Sequence, residues 1–296
     1  MCLGACIPNA LIPEVPAPVD VTDSPIQSPT VAPEPDAGRI FCVSDLHADH
    51  PANMEWCRGL RARGDYFRRD VLIVAGDVTS SHAILKETLE ILVKTFATVF
   101  YTPGNHDLWV KGRLAGGVHV RPKPINSLER LEEVRSLCAQ LGVLTRPAYA
   151  CGAIICPISS WYHESWDTEP DIKGWKGIPP HNMVMSDYHA CTWPPPLSNT
   201  NDSIAAHFDA LNDADGAPLP KVIKALREAH PNAPLITCSH FVPHMELNPE
   251  KRFLFFPPLA KACGSSYLAK RIATLTPELH CFGHTVSCAL SGRTRN

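Results

Sequence analysis

The sequence predicts an α/β domain, and three observations carry the prediction. Residues 39–44 (RIFCVS), 71–75 (VLIVA) and 98–102 (TVFYT) are apolar, largely β-branched runs of strand length. About thirty residues with a helical pattern separate each run from the next, the length of a βαβ crossover. Each run also ends in a polar cluster: Asp45-Leu46-His47, then Gly76-Asp77, then Gly104-Asn105-His106-Asp107. Parallel strands joined by crossovers finish on the same side, so these clusters are expected at one edge of one sheet.

Residues 1–38 read as a leader outside the fold. Eight prolines from Pro8 to Pro35, five acidic residues and no basic residue before Arg39 describe a disordered, Pro-rich segment. A secretory signal has a basic n-region and a transit peptide is Arg-rich; neither pattern occurs, and a cytoplasmic location is expected. Cys2 and Cys6 are candidate acylation sites, against the plainer reading of incidental cysteines in a tail.

Residues 39–296 then read as one folded domain. Helical patterns fall at 53–63, at 83–96 with Ile84, Leu85, Ile91, Leu92 and Phe96 on one stripe, at 127–141, and at 221–230. Further strands are expected at 153–157 (AIICP), 235–239 (LITCS) and 279–282 (LHCF). Between 159 and 216 periodicity fails. Trp161, Trp166, Trp175 and Trp193 in that proline-bearing stretch predict a long loop folded over the strand ends. Its opening residues, Ser160-Trp161-Tyr162-His163, either line the mouth of a site or cover the sheet edge, and His163 is a minor candidate for a phosphate contact.

Composition narrows the function classes. With 296 residues, 45% of them hydrophobic, there is material for a large core. A net charge of −3 and no Lys/Arg cluster argue against nucleic acid or an anionic membrane as partner. No apolar run approaches the ~20 residues of a membrane span. Twelve cysteines without a Cys-x-x-Cys pair exclude a zinc ribbon or a thioredoxin-like motif. Cys42, Cys156, Cys238 and Cys281 lie inside strand patterns, which predicts buried free thiols in a reducing compartment rather than a disulfide-bonded secreted form.

Oxygen and nitrogen ligands at strand ends suit a two-metal hydrolytic centre. Two later strands add to the set: Ser239-His240-Phe241 ends one, and Gly283-His284-Thr285-Val286 follows the other. Singly, Asp45, Asp77 and Asn105 are residues that cap turns after strands. Together with histidines in this order they read as metal binding.

These five blocks, running in order from about Arg39 to Thr285, resemble the calcineurin-like metallophosphoesterase family. The resemblance implies a sandwich of mixed β-sheets flanked by helices. It implies metal-dependent hydrolysis of a phosphoester by a water activated between two divalent or trivalent ions of the Mn, Fe, Zn or Mg type. Carried over by motif, Asp45 and His47 serve the first metal, Asp77 bridges, and Asn105, His240 and His284 serve the second. His106 becomes the general acid, and Asp107 is expected to hydrogen-bond it and fix its orientation. The substrate class stays open among small-molecule phosphoesters, nucleotides and phosphoproteins.

The departure is Val286, where the family has a second histidine for the first metal. An isopropyl group has no lone pair, so that site keeps Asp45, His47 and Asp77. His50 and His82 are candidate replacements in nearby loops; His244 follows Pro243 and reads as incidental, and His280 as a packed strand residue. Ten residues follow Val286 (SCALSGRTRN) without a convincing strand, so a truncated or altered C-terminus is expected. The rival reading is a catalytically weak or inactive binding protein of the same fold. Val286 favours it; the retained His106-Asp107 pair opposes it.

Overall fold

Strands without polar alternation are buried on both faces, and the runs 71–75, 153–157 and 235–238 are buried at every position, while 40–43 at a sheet edge is only partly covered. The computed structural model describes residues 38–110, 126–173, 177–214, 217–254, 256–285 and, for the backbone, 291–292. The leader with Cys2 and Cys6, together with Trp175 and Val286, lies outside the described residues.

In chain order the elements are β1 (Ile40–Val43), α1 (Pro51–Ala62), β2 (Val71–Ala75), α2 (His82–Thr95), β3 (Thr98–Thr102), α3 (Ser127–Leu141), β4 (Ala148–Ala150) and β5 (Ala153–Pro157). Then come α4 (His181–Val184), α5 (Asp187–Ala190), α6 (Ser203–Leu211), α7 (Leu219–Ala229), β6 (Leu235–Cys238), α8 (Ser266–Leu275), β7 (Leu279–Cys281) and β8 (Ser291–Gly292). β1, β2 and β3 form one parallel sheet in that order. The second sheet runs β4-β5-β6-β7-β8, parallel through β5, β6 and β7, with β4 and β8 antiparallel at its edges.

The alternation of side chains along each strand sorts them into layers. Val71, Ile73 and Phe100 face inward and pack with Ile155, Ile236, Cys238 and Cys281 between the two sheets. Leu72, Val74, Val99 and Tyr101 face outward onto α1, α2 and α3, against Met54, Cys57, Leu85, Leu89, Leu92, Val134 and Leu137. On the far side Ile154, Cys156 and Leu235 meet Leu219, Ile223, Leu268 and Leu275 of α7 and α8. Leu85, Leu89 and Leu92 recur at helical spacing and are fully buried, each contributing about 1.5–3 kcal/mol. The expected sandwich of mixed sheets flanked by helices is therefore present.

Several elements differ from the sequence reading. Region 159–216 holds α4, α5 and α6, whose Met185, Ile204 and Phe208 close over Trp161, Tyr162 and Phe241. Helix α8 and strand β4 were not anticipated. Within the C-terminal tail, Ser291 and Gly292 pair with His280 and Leu279, a backbone pairing that needs no apolar alternation. Cys156, Cys238 and Cys281 are buried and outside any disulfide, as strand patterning predicted, whereas Cys42 is exposed, because β1 lies at the edge of its sheet and is only partly covered. Among the described residues no helix is long and apolar enough to cross a membrane.

Candidate metal centre

The strand ends turn sharply at four of the candidate ligand residues. Asp45, His47, Asp77 and His284 have φ of +53°, +41°, +56° and +67°, a region that costs a non-glycine residue about 1–3 kcal/mol. The surrounding backbone holds them there. Asp45 N–H donates to the Gly76 carbonyl at 3.0 Å and His47 N–H to that of Asp77 at 3.0 Å, lacing the first loop to the second. His106 N–H donates to Asp77 Oδ1 at 2.9 Å, and His284 N–H to Asp45 Oδ2 at 3.0 Å. Gly76, at φ +85°, allows a close approach: a Cβ there would lie 2.5 Å from His240 Nδ1. At Gly104 a Cβ would lie 2.6 Å from the Asp77 backbone nitrogen.

The ring tautomers follow from the backbone. His240 Nδ1 donates to the Ala75 carbonyl at 2.9 Å, and His284 Nε2 to that of Ala262 at 2.8 Å. Each ring's remaining lone pair then points inward. His240 Nε2 lies 2.9 Å from Asn105 Oδ1, 3.2 Å from His284 Nδ1 and 3.4 Å from Asp77 Oδ2. His284 Nδ1 is 3.0 Å from the same Asn105 oxygen. Asn105 cannot turn its amide round, because its Nδ2 donates to Asp187 Oδ1 at 2.9 Å. With both rings neutral, four acceptor atoms converge with no donor among them, an arrangement that a cation, or a proton on His240 Nε2, relieves.

The electrostatics agree. Burial opposes charge on His240, but Asp77 and Asp45 overcome it and hold the imidazole up at about 10. Burial and the neighbouring His240 push His284 down to about 3. Burial raises the Asp77 carboxyl against the pull of His240. The carboxylates of Asp77 and Asp45 thus draw one positive charge into the cluster, which in the protein alone is the proton on His240.

A second donor group shares Asp77. The ligand atoms of His47, Asp77 and His106 lie within 4.8 Å of one another, as do those of Asp77, His240 and His284. His47 Nε2 and Asp77 Oδ2 are buried without a hydrogen-bond partner among the described residues, and such orphaned acceptors fit a bound cation. Asp45 Oδ1 stands 4.0 Å from His47 Nε2. All six residues expected as ligands therefore meet at the strand ends.

Asp107 does not play the expected part. Its carboxylate is fully buried and faces away from His106. Oδ2 accepts from Asp77 N–H and Gly104 N–H at 2.8 Å each; Oδ1 accepts from Val78 at 2.9 Å and Thr79 at 3.0 Å. The 3-10 turn at His106–Leu108 sends the neighbouring side chains in different directions. His106 is flanked instead by Trp109, stacked with centroids 3.7 Å apart, and by the edge of His47 at 4.7 Å. Burial, then His47, His240 and His284, lower His106 to about 2.

The remaining histidines sort by their contacts. His163 is buried between Ser165 Oγ at 2.8 Å and the Ser266 N–H at 3.0 Å, so it is not available to a phosphate. His280 bonds Thr237 Oγ1 and Ser239 Oγ inside the sheet, as a packed strand residue does. His50 and His244 are exposed, and His82 Nδ1 faces the Arg130 guanidinium at 3.0 Å. Trp161 and Tyr162 are 1% and 4% exposed and pack against Phe241, the Tyr162 ring with its centroid 6.4 Å from that of His284. Asp187 and Trp109 were missed as contributors: nothing local in the sequence marks Asp187, which meets Asn105 across 82 positions, whereas Trp109 stands three residues after His106, and that spacing within one turn was the signal available.

Comparison with known proteins gives the same direction. The model of the family described as calcineurin-like phosphoesterase matches residues 38–288. A curated protein of Mycobacterium tuberculosis (strain ATCC 25618 / H37Rv), the acyl-carrier-protein phosphodiesterase PptH, is 33% identical over 116 residues, which is 39% of this chain. That match spans 32% of the relative, about a third of its length. The crystal structure of phosphopantetheinyl hydrolase (PptH) from Mycobacterium tuberculosis is similar in fold, with a TM-score of 0.58 and 22% identity. It covers 84% of this chain and 83% of that one.

Proposed function

Because this chain belongs to the calcineurin-like phosphoesterase family, we propose that it hydrolyses a phosphoester with two divalent cations at the strand ends. The observation that supports this most is the convergence of Asn105 Oδ1, His240 Nε2, His284 Nδ1 and Asp77 Oδ2, four atoms within 3.4 Å of a neighbour that are all acceptors once His240 is neutral. Those residues would hold one cation. Asp45, His47 and Asp77 would hold the other, with Asp77 shared. Bound there, the cations supply Lewis-acid polarisation of a phosphoryl group and a more acidic water.

The protein's own residues supply the rest. His106 sits beside both donor groups with its Nε2 3.9 Å from Asp77 Oδ2. In the protein alone its buried ring is neutral. An anionic phosphoryl group beside it favours the protonated form, which can then pass its proton to the leaving oxygen. Stacking on Trp109 and the edge of His47 set the plane from which it does so. The relative's name is that of a phosphodiesterase, which makes a phosphodiester the first substrate class for this chain as well.

Val286 supports a second reading, a binding protein that keeps one cation. Asp107 no longer argues against it, since that carboxylate caps backbone amides; His106 with its stacked indole still does. The two readings separate on chelator-stripped protein titrated with Mn2+ while turnover of bis(p-nitrophenyl) phosphate and p-nitrophenyl phosphate is followed. Hydrolysis that rises with the second ion supports the enzyme. One bound ion and no turnover of either ester selects the binding protein.

A further inference from the structure

Asp187 opens α5, inside the region where the sequence shows no periodicity, and it is 1% exposed. Its Oδ1 accepts two hydrogen bonds, from Asn105 Nδ2 at 2.9 Å and from the Trp109 indole Nε1 at 2.6 Å. Both donors come from the turn that follows β3, and each touches the centre with its other side. Asn105, with its NH2 committed to Asp187, presents Oδ1 to His240 and His284. Trp109 lies against His106 at an interplanar angle of 27°. Backbone bonds fasten the segment carrying Asp187 to the same turn, Val110 N–H to the Ala190 carbonyl at 2.9 Å, and to the start of α3, Ser127 N–H to that of Thr192 at 2.7 Å.

His106 needs such a device. Asp107 is occupied by four backbone amides, and Asp77 Oδ2 stands 3.9 Å from His106 Nε2, beyond hydrogen-bond distance. A buried carboxylate acceptor makes a stronger hydrogen bond than a neutral one. It also fixes which end of an amide faces outward, and it draws electron density toward the free carbonyl oxygen.

We infer that Asp187 is the positioning residue of the centre: one buried carboxylate oxygen turns the Asn105 amide toward the cation and, through the Trp109 indole, holds the plane of the His106 ring. The inference rests on the hydrolase reading above. It assigns the unpatterned region a direct part in setting the site, where the motifs supply the groups that act.

The test uses the full chain, stripped with chelator and titrated calorimetrically with Mn2+. Asp187→Ala frees the amide and is expected to weaken one of two Mn2+ sites by roughly 10–100-fold, the usual scale for an outer hydrogen-bond partner of a ligand, with the other site unchanged. Trp109→Phe keeps the stacked ring and deletes the donor. It is expected to leave both Mn2+ affinities unchanged while lowering kcat and moving the pH limb of kcat, with KM unaltered.

A swap guards against a variant that fails to fold. Asn105→Asp alone opposes two buried carboxylates and is expected to weaken the same site. The double variant Asn105→Asp/Asp187→Asn reverses the polarity of the pair and is expected to restore Mn2+ binding toward the wild type. A filler role for Asp187 predicts no such rescue. Wild-type affinity at both sites in Asp187→Ala, or a double variant no better than Asn105→Asp, overturns the inference and leaves the hydrolase reading standing. Wild-type protein that binds no Mn2+ and turns over neither ester overturns both.

Discussion

Replacing Asp107 by asparagine changes one atom and separates two accounts of that residue. In the structure the carboxylate accepts four backbone N–H groups, two on each oxygen, at 2.8 to 3.0 Å. An amide has a single acceptor oxygen. Its NH2 must therefore point at two N–H donors, from Asp77 and Gly104 or from Val78 and Thr79, whichever way it is turned. Each buried donor left without an acceptor costs about 1–3 kcal/mol, so the variant should lose about 2–6 kcal/mol. The side chain is 0% exposed, so bulk water offers no replacement acceptor. For a domain of this size 1 kcal/mol corresponds to about 2–4 °C, which puts the expected fall in melting temperature at roughly 4–24 °C. Calorimetry on chelator-treated protein, paired with urea titration, measures it. A residue that merely oriented His106 would instead lower kcat and leave stability intact. A melting temperature within a degree of the wild type would refute the capping role.

Three further predictions follow from the same geometry. His106→Ala should lower kcat for bis(p-nitrophenyl) phosphate by about 10²–10⁴-fold, the range for loss of a general acid, while Mn2+ stoichiometry stays at two; loss of one ion would make His106 a ligand instead. Gly104→Ala pushes a methyl onto Asp77, 2.6 Å from its backbone nitrogen. It should destabilise by about 1–3 kcal/mol as an overpacked site does, and weaken Mn2+ binding; wild-type melting and affinity would contradict the close approach. Val286→His should raise affinity at the weaker Mn2+ site and increase turnover together, and an unchanged protein would show that this position does not limit the first site.

The strands and their ligands were legible because two physical signals coincided at each one. Continuous apolar runs such as VLIVA mark strands covered on both faces, and polar residues directly after them mark the edge where a parallel sheet gathers its sites. Asp45, His47, Asp77, Asn105, His240 and His284 meet where that logic places them. The rest depended on contacts that leave no periodic trace. Trp161, Met185, Ile204 and Phe208 form one cluster from scattered positions, so their spacing carries no pattern. Helix α8 does carry an apolar stripe, with Leu268, Ile272 and Leu275 at helical spacing, and its N-cap Ser265 is a fair start signal. That element was readable and was missed. Adjacency misled at Asp107, since a turn separates the side chains of neighbours, and Asp187 meets Asn105 across 82 positions.

The central claim is that six side chains from five strand ends hold two cations that share Asp77. An anomalous-difference map from crystals of the Mn2+-loaded full chain addresses it without reference to any substrate. Two peaks are expected, one among Asp77, Asn105, His240 and His284, the other among Asp45, His47 and Asp77 and of lower occupancy. A map with no peak among these residues, or with its peaks elsewhere on the protein, would contradict the account.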